Sequence, residues 1–232
     1  GTDCNTGYNP IERMVGVNKT LYVISGVTGM TGNELARQIV ARGQHVLGFD
    51  NFFASSIDTV ADILDNPRFT FLEYDLINPD HMADLADRVR RLKPEFDRIV
   101  YINCAAVVHT EHFYQIHATF EVNVTGMRDF LEQAISVGAE QYINCSTSEI
   151  YSMQSVAADG GGVRESDYVL LATAEHSQRT SYAAGKLLTE FFIKDAVDKG
   201  RILGCSIRFA NVYSKDEKLA KHIIPHVLKS LW

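Results

Sequence analysis

Cysteine is scarce in this 232-residue chain, and the four present, Cys4, Cys104, Cys145 and Cys205, stand far apart. They lack the close spacing of a zinc site and the density of a disulfide scaffold. Cys104, Cys145 and Cys205 fall inside strand-like apolar runs, so buried free thiols are expected. Gly and Pro are low, at 16 and 5, and no internal repeat or low-complexity segment stands out. Basic residues are also short, with 22 Lys and Arg against 29 Asp and Glu and a net charge of -7. They form no basic stripe, which argues against nucleic acid as a partner. No apolar run approaches the ~20 residues that cross a bilayer, and the first residues hold no signal-peptide core. No membrane partner and a cytoplasmic location are therefore expected. What is present is 46% hydrophobic residue, enough for one large α/β domain with a sizeable core.

The organising stretch runs from Leu21 to Asp50, LYVISGVTGMTGNELARQIVARGQHVLGFD. Apolar Leu21 to Ile24 lead into Gly26, Gly29 and Gly32, then an amphipathic run ends at Gly43, and a second apolar run ends at Asp50. This reads as strand, glycine turn, helix, strand. Glycines bring bare backbone N–H groups against an anion, and a helix beginning near Thr31 turns its positive end on the same place. The unit points to a dinucleotide whose pyrophosphate sits beside Gly29 and Met30. Asp50 lies eighteen residues past Gly32 at a strand end, where a carboxylate accepts bonds from both adenosine ribose hydroxyls. It would repel a 2′-phosphate, so NAD is favoured over NADP.

Residues 1–18 show no clear period and read as an N-terminal extension, with one domain over 19–232. Ser55 or Ser56 can cap a short helix through Leu64. Phe69 to Tyr74 reads as the third strand, and Asn78-Pro79 starts a helix carrying Met82, Leu85, Val89 and Leu92. Arg98 to Ala106 is nearly continuous apolar, as a strand covered on both faces should be. One long helix is expected through Phe120, Val124, Met127, Phe130, Leu131 and Ala134 to Gly138. Gln141 to Ser146 is the fifth strand, 152–180 a long loop, Ser181 to Lys199 a helix, Leu203 to Phe209 the sixth strand, and Lys218 to Leu231 a last helix. Strands alternating with helices mean a doubly wound parallel α/β sheet, with ligands at the carboxyl ends of its strands.

A second site is expected at Tyr182-Ala183-Ala184-Gly185-Lys186. Positions four apart share a helix face, so the phenol and the ammonium can enter one pocket, and a nearby cation lowers the pKa of a phenol toward useful basicity. His109, His112 and His117 follow the fourth strand without a paired metal spacing, so no metal is expected.

The GxxGxxG turn, Ser146-Thr147-Ser148, and a YxxxK helix about thirty-five residues later resemble the short-chain dehydrogenase/reductase superfamily. Within it they are similar to the extended branch of NAD-dependent nucleotide-sugar epimerases, dehydratases and decarboxylases. Supporting pieces are Asp50-Asn51, Asp75-Leu76, Ala105-Ala106, VNVTG around Asn123, STSEIY at 146–151 and RFANVY at 208–213. The resemblance implies a Rossmann-type sheet with helices on both faces, NAD as tightly bound cofactor, a nucleotide-sugar substrate and a homodimer. It assigns Asp75 and Leu76 to the adenine, Ala105 and Ala106 to the cofactor cleft, Lys186 to the nicotinamide ribose, and Tyr182 to proton removal. Thr147 would bond the reacting sugar hydroxyl, and Asn211 would meet the substrate phosphates. The shared first step would be oxidation of a sugar carbinol to a transient 4-keto sugar. Glu149 could then take the acidic proton beside the ketone. Ser148 stands where 4,6-dehydratases of thymidine-linked glucose carry an acid. The C-terminal lobe that closes over the sugar in the extended branch is largely absent from this chain. Epimerisation, dehydration, decarboxylation and a dehydrogenase that releases its cofactor stay open, as does a non-catalytic NAD(H)-binding sensor.

Overall fold

Alternation of short apolar runs with amphipathic ones places strand and helix in turn, and each helix covers the strands flanking it. The structure, a computed structural model, describes residues 18–108, 115–151, 162–173, 175, 180–210 and 212. Its elements are β1 (Thr20–Ser25), α1 (Met30–Ala41), β2 (His45–Asp50), β3 (Phe69–Glu73), α2 (Pro79–Leu92), β4 (Arg98–Asn103), α3 (Ile116–Phe120), α4 (Met127–Ser136), β5 (Gln141–Thr147), α5 (Thr180–Asp198) and β6 (Leu203–Phe209). The strands form one sheet in the order β3-β2-β1-β4-β5-β6, and every pairing is parallel. The expected Rossmann-type sheet is therefore present. The order reverses between β1 and β4, which opens a crevice beyond their carboxyl ends.

Alternate residues of each strand feed two cores. Val23, Phe49, Tyr101 and Tyr142 pack with Leu85, Met127 and Phe130 on one face, while Ile24, Val46, Val100 and Ile102 pack with Ala36, Ile39 and Val40 of α1 on the other. α2 starts as its sequence dictates, with the Asn78 side chain accepting from the Asp80 and His81 amides ahead of Pro79 at the first turn. No helix among the described residues is long and apolar enough to cross a membrane.

Four expectations are corrected. β4 ends at Asn103 rather than Ala106, because the Ala105 amide leaves the ladder for Ser25 Oγ at 3.3 Å. The long helix is broken into α3, a π-helical stretch Glu121–Gly126, and α4. Asn123 explains the break: its side chain exchanges two hydrogen bonds with the Val107 backbone, at 2.7 and 3.0 Å, and so holds the helix to the end of β4. The short helix near Ser56 is a single 3-10 turn, Ile57–Val60, without a side-chain cap. Finally, the chain does carry a small repeat: Tyr-Ile-Asn-Cys at 101–104 and again at 142–145, on neighbouring strands in register, Tyr101 beside Tyr142 and Asn103 beside Asn144. The expected helix at Lys218–Leu231 lies outside the described residues.

Candidate active site

The glycine turn is shaped by backbone contacts that leave no room for a side chain. Gly26 has φ +66°, and a Cβ there would stand 2.6 Å from the Ala105 amide nitrogen. A Cβ on Gly32 would run into the Gly26 carbonyl and lie 2.8 Å from Val27 Cα. The turn thereby brings α1 close to β1 and Ala105 close to Gly26. Gly29 is the N-cap of α1 and offers no side-chain bond, and the first turn has no acidic residue. The amides of Met30, Thr31 and Gly32 are thus set toward the crevice as an uncapped, electropositive helix end.

Asp50 closes β2 beside this turn. Its Oδ2 accepts from the Thr28 amide at 3.2 Å and its Oδ1 from the Phe52 amide at 2.9 Å, so the carboxylate is oriented and each oxygen keeps a lone pair for a ligand hydroxyl. Asn51 donates to Asp75 Oδ2 at 3.1 Å, and Asp75 Oδ1 accepts from the Ile77 amide, which joins the two strand ends proposed to flank the adenosine. Leu76 is buried.

On the other side of the crevice, α5 carries Tyr182 and Lys186, both buried at 9% and 3% exposure. The Lys186 Nζ lies 6.0 Å from the centroid of the Tyr182 ring and donates to the Cys145 carbonyl at 2.8 Å. The expected pair is therefore brought together and anchored to the end of β5. Burial lowers the Lys186 pKa below its ordinary 10.5, an effect partly offset by the neighbouring Cys145 and Cys104. Thr147, the last residue of β5, accepts from the Glu149 amide at 3.2 Å, which leaves its own hydroxyl proton to donate. Ser148 and Glu149 begin a 3-10 turn, Ser148–Tyr151, that packs against α5.

The titration of Lys186 has a measurable sign. A lysine whose folded pKa is depressed favours the unfolded chain wherever the unfolded side chain alone keeps its proton-bound form at no cost. Its relative contribution to stability is full above 10.5 and is lost as pH falls through the lowered folded value. In the cofactor-free chain, the Tm of wild type is expected to gain on that of Lys186→Met as pH climbs from neutral toward 10.5. Thermal melts of both proteins across that range check it.

Sequence reasoning missed the polar row beneath the site. Ser25 Oγ donates to Asn103 Oδ1 at 2.7 Å, Asn103 Nδ2 to Asn144 Oδ1 at 3.2 Å, Asn144 Nδ2 to Thr189 Oγ1 at 2.9 Å, and Thr189 Oγ1 to the Lys186 carbonyl at 2.6 Å. All four side chains are at most 1% exposed. The row links the strand before the glycine turn to the helix of Tyr182 and Lys186, and the doubled Tyr-Ile-Asn-Cys was its signal. Cys104 and Cys145 face each other at 3.6 Å and are half-buried. Cys205 is exposed, against expectation, because odd residues of β6 point away from α5, where Leu203 is also 66% exposed. His117 is exposed on α3. Cys4, His109, His112 and Asn211 lie outside the described residues.

A family model, described as the NAD dependent epimerase/dehydratase family, matches residues 22–231. The chain belongs to that family. Membership in the NAD dependent epimerase/dehydratase family makes NAD the cofactor, and the glycine turn, the uncapped start of α1 and the oriented Asp50 carboxylate fit it. UDP-glucuronic acid decarboxylase 1 of Arabidopsis thaliana is 27% identical over 210 residues, 90% of this chain and 42% of that protein. Among solved structures, DesIV, the dTDP-glucose 4,6-dehydratase of Streptomyces venezuelae with NAD bound, superposes with TM-score 0.74 at 21% identity over 91% of this chain and 62% of its own. UDP-glucuronic acid 4-epimerase from Bacillus cereus, in complex with NAD, gives 0.71 at 20% identity, again over 91% and 62%. The chain thus spans less than half of its curated relative and under two thirds of either crystallised protein.

Proposed function

We propose that this member of the epimerase/dehydratase family acts on a nucleotide sugar, oxidising its C4 carbinol to a transient ketone. The observation that carries this reading is the buried Tyr182–Lys186 pair, anchored through the Cys145 carbonyl to the strand end that presents Thr147 and Glu149. Tyr182 takes the hydroxyl proton of the carbinol. Lys186, with its ammonium beside that ring, favours the phenolate and shares the ribose of the cofactor. When bound, NAD supplies the acceptor for the carbinol hydrogen and its electron pair, and gives them back at the end of the cycle. Thr147 donates to the same sugar oxygen and fixes its distance from the phenol.

With the ketone formed, the C5 proton becomes acidic, and Glu149 is the carboxylate positioned to remove it for elimination or inversion. Ser148 in place of an acid favours an outcome without expulsion of the 6-hydroxyl. A second reading is decarboxylation, favoured by the Arabidopsis relative. In a uronic acid sugar, a C4 ketone makes the C5 carboxylate a β-keto acid, and loss of carbon dioxide leaves an enolate at C5 that needs only a proton. Tyr182 or Glu149 can return it.

The test is incubation of the NAD-loaded chain with UDP-, dTDP-, GDP- and CDP-linked sugars and sugar acids, read by mass and NMR. Loss of the mass of water means elimination, loss of carbon dioxide means decarboxylation, and an unchanged mass with a new anomeric signal means inversion. No change with any of them would overturn the reading.

A further inference from the structure

We propose that Arg208 and Glu190 are positioning residues: their ion pair clamps the end of β5 and the turn carrying Ser148 and Glu149 against the helix carrying Tyr182 and Lys186. The inference deepens the reading above and rests on it for its catalytic meaning. Its geometry is independent of that reading. Arg208 on β6 holds both oxygens of Glu190, with Nε to Oε1 at 3.0 Å and Nη2 to Oε2 at 2.6 Å. The same guanidinium donates through Nη1 to the Tyr151 hydroxyl and, at 3.0 Å, to the Glu165 carbonyl. Its carbon sits 5.0 Å from the Tyr151 ring centroid. Glu190 in turn accepts from Ser146 Oγ at 2.5 Å.

These bonds bracket the reacting segment. Ser146 is the residue before Thr147, and Tyr151 is the last residue of the 3-10 turn that follows. Glu190 lies one helical turn beyond Lys186, on the same face of α5. A single ion pair therefore grips the segment at both ends and ties it to the Tyr182–Lys186 helix. The Arg208 and Glu190 side chains are 20% and 14% exposed, so solvent screens the pair little. A fork-shaped bidentate pair also fixes orientation, which a lysine at 208 cannot do. The adjacent helix residue, Thr189, holds Asn144 two places earlier on β5, so α5 reads alternate residues of that strand through consecutive side chains.

What the clamp controls is the step after oxidation, because Thr147 is also held in the ladder opposite Phe209 while the turn beyond it is not. Tyr182 and Lys186 stand on α5 itself and keep their places if the turn loosens. Glu149 rides on the turn and does not. Tyr151→Phe removes the hold on the far end of the turn while keeping the ring and the Arg208–Glu190 pair. It is expected to speed amide exchange at 149–151 about tenfold, the worth of one charge-assisted hydrogen bond, with β1 and α1 unchanged. In turnover, kcat falls by a similar factor with KM nearly constant, and ketone-level intermediate is released in place of finished product. Arg208→Lys gives the same phenotype at least as strongly, since it loses the fork on Glu190 and the Glu165 bond as well, and adding Tyr151→Phe to it costs little more, because the Arg208–Tyr151 bond is already gone. Ser146→Thr, which keeps the hydroxyl, retains wild-type partition and Ser146→Ala does not.

Wild-type exchange at 149–151 in a folded Tyr151→Phe protein overturns the clamp, whether or not the chain turns over. Additive losses from Arg208→Lys and Tyr151→Phe, or an unchanged product partition, also overturn it. A wild-type chain that transforms no sugar nucleotide defeats the reaction reading instead, and the exchange result stays legible beside it. Circular dichroism and melting temperature of each variant separate loss of fold from loss of positioning.

Discussion

Tyr182→Phe is expected to lower turnover by about 10²- to 10⁴-fold while the chain keeps its fold and its NAD, since proton transfer by a positioned side chain contributes on that scale. The ring stays in its buried place on α5, and Lys186 keeps its bond to the Cys145 carbonyl. Only the phenolic oxygen is lost, and with it the proposed acceptor for the carbinol proton. Removal of that proton must accompany oxidation, so both oxidation and the reverse reduction slow together. The measurement is kcat with the best substrate from the nucleotide-sugar panel, alongside NAD affinity by calorimetry. A Tyr182→Phe protein with wild-type kcat would remove the phenol from the chemistry.

Gly32→Ala is expected to cost about a hundredfold in NAD affinity, equal to two charge-assisted hydrogen bonds of about 1.5 kcal/mol each. The new methyl would press on the Gly26 carbonyl and on Val27 Cα at 2.8 Å. Those are backbone atoms of the turn itself, and they cannot rotate away. Either α1 backs off from β1 or the turn opens, and in both cases the Met30 and Thr31 amides leave the places proposed for them around the pyrophosphate. Overpacking of this kind also costs about 1–3 kcal/mol of stability. Gly43→Ala is the control. There φ is +75° and a Cβ meets nothing within 4 Å, so only the left-handed backbone objects, at about 1 kcal/mol, and NAD affinity is untouched. Equal NAD affinity in wild type and Gly32→Ala would show that the turn does not hold the cofactor.

Much of the fold was legible because short-range chemistry decides it. Asn78 followed by Pro79 and then apolar residues at helical spacing marks a helix start, and the glycines at 26, 29 and 32 between an apolar run and an amphipathic one mark a strand-to-helix turn. The parallel order followed from alternation of strand and helix. What escaped was decided across the chain. Nothing near Asn123 says that its amide will bind the Val107 backbone and force a π-helical stretch. Nothing near Ala105 says that Ser25 will end the strand. In the site, Tyr182, Lys186 and Thr147 announced themselves through spacing and motif. Arg208 was visible only as part of RFANVY, and Glu190 not at all, because an ion pair between a strand and a helix eighteen residues apart leaves no period in the sequence. Asn103 and Asn144 sat unremarked inside runs read as apolar strands, and their meaning lay in the duplication of their neighbours.

That duplication constrains how the protein can change. Each asparagine amide in the row from Ser25 to Thr189 is both giver and receiver, so exchanging one for a hydrophobic residue strands two dry neighbours at once, at about 1–3 kcal/mol apiece. Descendants of this sequence can therefore keep the row or abandon it wholesale, and a lineage that drifts one residue at a time is confined to keeping it.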